Sequence, residues 1–140
     1  MLSVTESFKE HQFIIAGAPS FQIDFYLPYL GEKNIPIIFN QTYDLLKNTD
    51  AALVTSGTAT LETALFNIPQ VVLYKGSKIT ISIARLLIDI KFISLVNLIM
   101  DKGIVKELLQ EDCNTKMLDA ELKNILDGKN RLKILEQNLA

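Results

Sequence analysis

Cys113 is the only cysteine in the 140 residues, so no disulfide can close within the chain. A lone thiol suits a reducing compartment. His11 is the only histidine, and it stands just before an apolar run rather than beside other ligand types. No group of His, Cys and carboxylates has metal-ligand spacing, which leaves a metal site without support. Asp50 reads as a turn residue. Positive charge is not in excess either: 14 Lys and Arg against 16 Asp and Glu give a net −2, with a pI near 5.4. A nucleic-acid binder needs a basic face to neutralise phosphates, so the balance argues against that class. No run reaches the roughly 18 uncharged apolar residues of a membrane span. The longest apolar-rich stretch, Ile79 to Met100, is broken by Arg85, Asp89 and Lys91. The first ten residues carry Glu6, Lys9 and Glu10 and resemble no secretory signal. The expectation is a soluble, cytoplasmic protein.

What is present is the composition of an ordered domain, 49% hydrophobic and 21% charged. The length suits one domain over 1–140 with a real core. Short apolar runs predict strands at Phe13–Ala16, Ile35–Phe39, Ala51–Val54, Val71–Leu73 and Phe92–Leu95. They are apolar at successive positions, as parallel strands covered on both faces are. Helical spacing separates them: Tyr43, Leu45 and Leu46; Leu61, Ala64 and Leu65; Ile79, Ile83, Leu87 and Ile90. The alternation implies βαβ units and an α/β fold, a Rossmann-like open parallel sheet of about five strands flanked by helices. Beyond Asp101 the pattern predicts helices alone. One carries Ile104, Val105, Leu108 and Leu109; the next, capped by Asn114 or Thr115, carries Leu118, Leu122, Ile125 and Leu126 and stops at Gly128; a last one carries Leu132, Leu135 and Leu139. The helical pattern is still running at Ala140, as in a piece of a longer chain.

The third predicted strand runs into Ser56-Gly57-Thr58 and then a helix. Helix N-termini expose unpaired N–H groups and roughly half a unit of positive charge, an anion-binding arrangement. Gly57 allows close backbone approach, while Ser56 and Thr58 add hydroxyls. In open α/β sheets ligands bind beyond the carboxyl ends of the strands, where this loop falls. Glu62 lies about one helical turn further on, placed to accept two ribose hydroxyls past the phosphates. Its plain alternative is to complement the helix dipole. A capping box is excluded, since Ala59 occupies the position that needs Ser or Thr. A P-loop is excluded because no Gly-Lys-Ser/Thr follows the strand. The dinucleotide fingerprint fails as well, because Pro19 and Gln22 stand where glycines are needed after Gly17.

Thr55-Ser56-Gly57-Thr58-Ala59-Thr60-Leu61-Glu62-Thr63-Ala64-Leu65, followed by Asn67-Ile68-Pro69-Gln70-Val71-Val72-Leu73-Tyr74-Lys75, resembles the donor-site segment of the lipid-A-disaccharide synthase family. Phe92-Ile93-Ser94-Leu95-Val96-Asn97-Leu98-Ile99 resembles a second segment of that family, and Val105 to Glu111 resembles the helix expected after it. Val96 departs from a usual proline, and Lys75 from a common arginine. The resemblance implies one half of a GT-B glycosyltransferase, with this chain as the UDP-binding half of a longer enzyme. The reaction it implies transfers 2,3-diacylglucosamine from UDP-2,3-diacylglucosamine to lipid X and releases UDP, in lipid A (lipopolysaccharide) biosynthesis of a Gram-negative bacterium. No cofactor or metal is implied, and no catalytic residue is assigned within this chain. A homodimer and peripheral contact with the cytoplasmic face of the inner membrane are further implications.

The donor-binding set expected from these readings is Ser56, Gly57, Thr58, Ala59, Thr60 and Glu62, with Asn40 and Gln41 as base contacts. Gly17 is added for close approach and Asn97 for a ligand or interdomain contact. A turn glycine at 17, a loop with a helix cap at 40–41 and a turn-stabilising side chain at 97 are the plain alternatives. Lys75 reads as a solvated lysine rather than a phosphate ligand. The segment Ile79 to Ile90 is apolar on more than one face and ringed by Lys75, Lys78, Arg85 and Lys91. Packing is preferred there over approach to an anionic bilayer. Two other functions stay open: another GT-B UDP-sugar transferase or epimerase, and a non-enzymatic receiver-like module. The latter expects clustered acidic residues at a strand end, where this chain offers Gly17, Gln41 and Ser56-Gly57.

Overall fold

A computed structural model describes residues 1–55, 57–76 and 91–139. The chain divides into two compact units, Met1–Thr49 and Asp50–Ala140. The expected Ile79–Ile90 helix lies outside the described residues. Five described strands, all in parallel pairings, form a sheet of two in the first unit and a sheet of three in the second.

In the first unit β1 (Ile15–Gly17) pairs with β2 (Ile37–Phe39), Gly17 facing Phe39. The crossover between them is α1 (Ile23–Leu30), a helix that the apolar spacing had not flagged. Gly31, at φ 56°, turns the chain out of that helix, a conformation that favours glycine. Tyr26 fastens α1 to the end of β1: its hydroxyl accepts from the Ala18 N–H at 2.7 Å, and its ring meets Phe39 edge-on. A 3₁₀ segment (Leu2–Ser7) buries Val4. The ammonium of Lys33 hydrogen-bonds Glu6 and holds that carboxyl below its usual range. The short α2 (Thr42–Lys47) follows β2 and buries Leu46.

In the second unit β4 (Gln70–Tyr74) is the middle strand, between β3 (Ala52–Thr55) and β5 (Lys106–Leu109). Its Val71, Val72 and Leu73 are all buried, as a strand covered on both faces requires. Side-chain alternation sends Val72 to one face, where it packs with Val96, Val105, Leu61 and Ala64. That layer holds α3 (Thr58–Leu65) and α4 (Leu95–Met100). The opposite face takes α5 (Thr115–Leu126), which buries Leu118, Leu122 and Ile125. Lys106, pointing the same way, pairs with Glu121 of α5 at 3.7 Å. Cys113 donates its thiol to the carbonyls of Leu108 and Tyr74, at 2.9 and 3.4 Å, joining the ends of β4 and β5. In this unit it is a small packing residue with a weak donor.

Two expectations about the strand beside β4 fail together. Residues 92–95 are not a strand: Ser94 caps α4, its Oγ accepting from the Asn97 N–H. The edge strand is Lys106–Leu109, inside the stretch read as a helix. Its apolar pairs fit a helical stripe, yet the unpaired edge of β4 captures it as a strand. The two helices expected beyond it are present. Asn114 caps α5 by accepting from the Met117 N–H at 3.0 Å. Gly128 does not end that helix but opens α6 (Gly128–Leu139), whose first N–H groups are capped by Asp127. Arg131 of α6 reaches back to Asp50 at 3.1 Å.

Asn114→Ala removes the cap of the helix that covers the sheet. The expected loss is about 1 kcal/mol in urea unfolding. No change in midpoint would show that α5 is held by packing alone.

Candidate functional site

The loop between β3 and α3 is set by a backbone conformation. Gly57 has φ 152° and ψ −166°, a region open essentially to glycine alone. A Cβ built there would meet nothing within 4 Å, so the requirement is conformational and the space beside the backbone is open. The helix then starts with no side-chain cap on its N-terminus. Thr58 and Ala59, which lead it, are exposed. The result is a set of outward amide donors at the positive end of a helix, at the carboxyl end of a parallel strand. Ser56 lies outside the described residues.

Thr60 does not present its hydroxyl to this opening. It is fully buried, and its Oγ1 donates to the Gly57 carbonyl at 2.7 Å, beside its own N–H at 3.1 Å. It builds the loop instead of facing a ligand, which corrects its place in the expected set. Its own carbonyl accepts from Gln70 Nε2 at 2.9 Å. Glu62 is half-buried one turn into α3, and its carboxylate has no hydrogen bond or ion pair among the described residues. Gly57, Thr58, Ala59 and Glu62 therefore share the first two turns of one helix.

Asn97 is corrected more firmly. It is 1% exposed, and all of its hydrogen-bonding capacity is used internally. Its Oδ1 accepts from the N–H groups of Ile104 and Val105 at 2.8 and 2.9 Å. Its Nδ2 donates to the Val105 carbonyl at 2.8 Å and to Glu107 at 2.9 Å. No lone pair or proton remains for a ligand. Glu107, which sequence reasoning passed over, completes the clasp by accepting from the N–H groups of Ile93 and Ser94 at 3.0 and 2.9 Å. The one available signal was a carboxylate between Val105 and Leu108, which strand alternation turns toward the Val72 face.

In the first unit Gly17 and Asn40 stand near the carboxyl ends of β1 and β2, with Gln41 next in the chain. Gly17 is buried, and a Cβ there would run into the Phe39 ring, so packing alone demands glycine. Asn40 takes a left-handed conformation, φ 57°, and is exposed, as is Gln41. Gln41 makes no side-chain cap on α2. Lys75 is exposed beyond β4. Among the described residues no three His, Cys or carboxylate groups are placed to hold a metal, and no helix is long and apolar enough to cross a membrane. A recess of about 550 Å³ in the second unit is not at the Gly57 loop. It lies at the amino ends of β4 and β5, among Gln70, Asn97, Glu107 and Glu121.

Parallel strands, helical crossovers and a glycine-opened helix end at a strand's carboxyl edge define a Rossmann-like α/β fold, the kind that forms one half of a GT-B glycosyltransferase. The chain belongs to the lipid-A-disaccharide synthetase family, whose sequence profile matches residues 2–139. It is 34% identical to the lipid-A-disaccharide synthase of a Sulfurihydrogenibium species, over 97% of this chain and 38% of that protein. It is 35% identical to the synthase of Syntrophus aciditrophicus, over 98% of this chain and 37% of the relative. For the Francisella philomiragia synthase the identity is 38%, over 81% and 30%. The chain thus spans 30 to 38% of the length of these curated relatives.

Asn97→Ala strips partners from two N–H groups and a carbonyl in the α4–β5 connection. The expected loss is about 2–4 kcal/mol by urea denaturation. A folded variant as stable as the parent would show that these bonds contribute no net stability to the connection.

Proposed function

We propose that this chain is the donor-binding part of a lipid-A-disaccharide synthase and grips the UDP moiety of UDP-2,3-diacylglucosamine. The observation that carries the reading is the uncapped start of α3 behind Gly57 in a member of this family. In the proposed reaction the bond between the anomeric carbon and the β-phosphate oxygen breaks, and the sugar passes to a hydroxyl of lipid X. Negative charge builds on the departing diphosphate. The amides of Gly57, Thr58 and Ala59 meet it with fixed dipoles that need no reorganisation. The proposal gives Glu62 the ribose: a carboxylate one turn into α3 accepts from two vicinal hydroxyls. Asn40 and Gln41 keep a proposed role as base contacts, resting on their place after β2 within their own unit. No residue of this chain is assigned as the base that deprotonates the acceptor. A cytoplasmic location, with peripheral contact to a membrane that holds the acylated substrates, belongs to the same proposal.

Titration of the chain with UDP, followed by amide NMR, is expected to shift resonances from Thr55 to Glu62. Saturating UDP that moves none of them would sink the donor-site assignment. Glu62→Ala is expected to weaken UDP by at least about tenfold, the equivalent of one hydrogen bond to a charged group, and to leave pyrophosphate binding unchanged. Equal losses for both ligands would remove the ribose role.

A further inference from the structure

Gln70 opens the central strand β4, is 3% exposed, and has no part in the contacts proposed for UDP. Its Nε2 donates to the Thr60 carbonyl at 2.9 Å, and Thr60 Oγ1 donates to the Gly57 carbonyl at 2.7 Å. Two bonds in series thus run from the central strand of the unit to Gly57, the residue that precedes α3. The other half of the Gln70 amide is a defect. Its Oε1 is buried and has no hydrogen-bond partner among the described residues. Turning the amide over gives no relief, because Oε1 would then face the Thr60 carbonyl, oxygen against oxygen. A buried acceptor without a donor weakens a fold, and an apolar side chain of the same length would avoid it. What the amide supplies in return is a hold on the first turn of α3. That helix is only eight residues long and has no side-chain cap; Leu61 and Ala64 pack it onto the Val72 layer, and the Gln70 bond adds a hold on its first turn.

We propose that Gln70 is a positioning residue for the nucleotide site, aligning the Gly57, Thr58 and Ala59 amides through Thr60. The inference rests on the UDP reading above. It explains why a glutamine with one idle oxygen stands at a buried strand position. Methionine, close to glutamine in shape, would pack there without an orphaned amide oxygen.

The test compares Gln70→Met with the parent 140-residue chain, reading melting temperature, UDP affinity by calorimetry and ligand-free hydrogen exchange at Thr58 to Glu62. Expected are a melting temperature equal to or above the parent's, UDP binding about threefold to tenfold weaker, and faster exchange in the first turn of α3. Gln70→Glu, which sets an oxygen against the Thr60 carbonyl, is expected to weaken UDP and lower the melting temperature together. Unchanged affinity in a folded Gln70→Met chain overturns the inference and leaves the UDP reading standing. A Gln70→Met chain that loses stability and affinity in step marks a packing role and overturns it too. A parent chain that fails to bind UDP removes the reading and the inference at once.

Discussion

A strand buried on both faces cannot leave one edge of its backbone unpaired, because water does not reach it to substitute. β4 is in that position. Ala52 to Thr55 satisfy one edge, and the other must be met by some later segment. Lys106 to Leu109 meet it, and much of the second unit follows from that choice. Residues 92–105 must then travel back to the start of an edge strand. They do so through α4 and a tight connection whose freed N–H and C=O groups have to be paired within the loop itself. Asn97 and Glu107 supply those pairings. The same layer presses Val96 onto Leu61 and Ala64, so the clasp also seats the helix that carries the Gly57 loop.

The strands β1 to β4 were legible because each is a short apolar run closed by a turn residue, and their parallel pairing followed from runs apolar at successive positions. β5 was not. Val105-Lys106-Glu107-Leu108 carries two charged side chains, and nothing local distinguishes an edge strand of that kind from a helical stripe. Its identity is decided by the vacancy beside β4, a tertiary fact. The misreading of Phe92–Leu95 has the same root: with the edge of β4 taken elsewhere, the Ser94 hydroxyl is free to start a helix. Asn114 was legible because a helix cap is a local device, complete within four residues.

The expected nucleotide site divides along a similar line. Gly57 could be singled out from sequence because an apolar strand running into glycine and then a helix is itself the physical pattern of an anion site. The roles of Thr60 and Asn97 could not. Both are polar residues of segments read as ligand-binding, yet both turn inward to satisfy backbone groups of their own loops. Gln70 and Glu107 were passed over for the converse reason. Each is a polar residue of a strand, and only the alternation of faces shows what it supports.

The clasp around Asn97 has one more property, which belongs to time and not to geometry. Its hydrogen bonds join residues only seven to fourteen apart in the chain. Loops of about ten residues close in roughly 10–100 ns. The pairing of Val71 with Lys106 spans a several-fold longer stretch and carries a larger entropic cost of closure. The connection leading into β5 can therefore be shaped before β5 has a neighbour, delivering the edge strand in a form ready to dock. Assembly of this unit then becomes a matter of bringing two prepared pieces together, a shorter search than threading an unformed strand into a sheet.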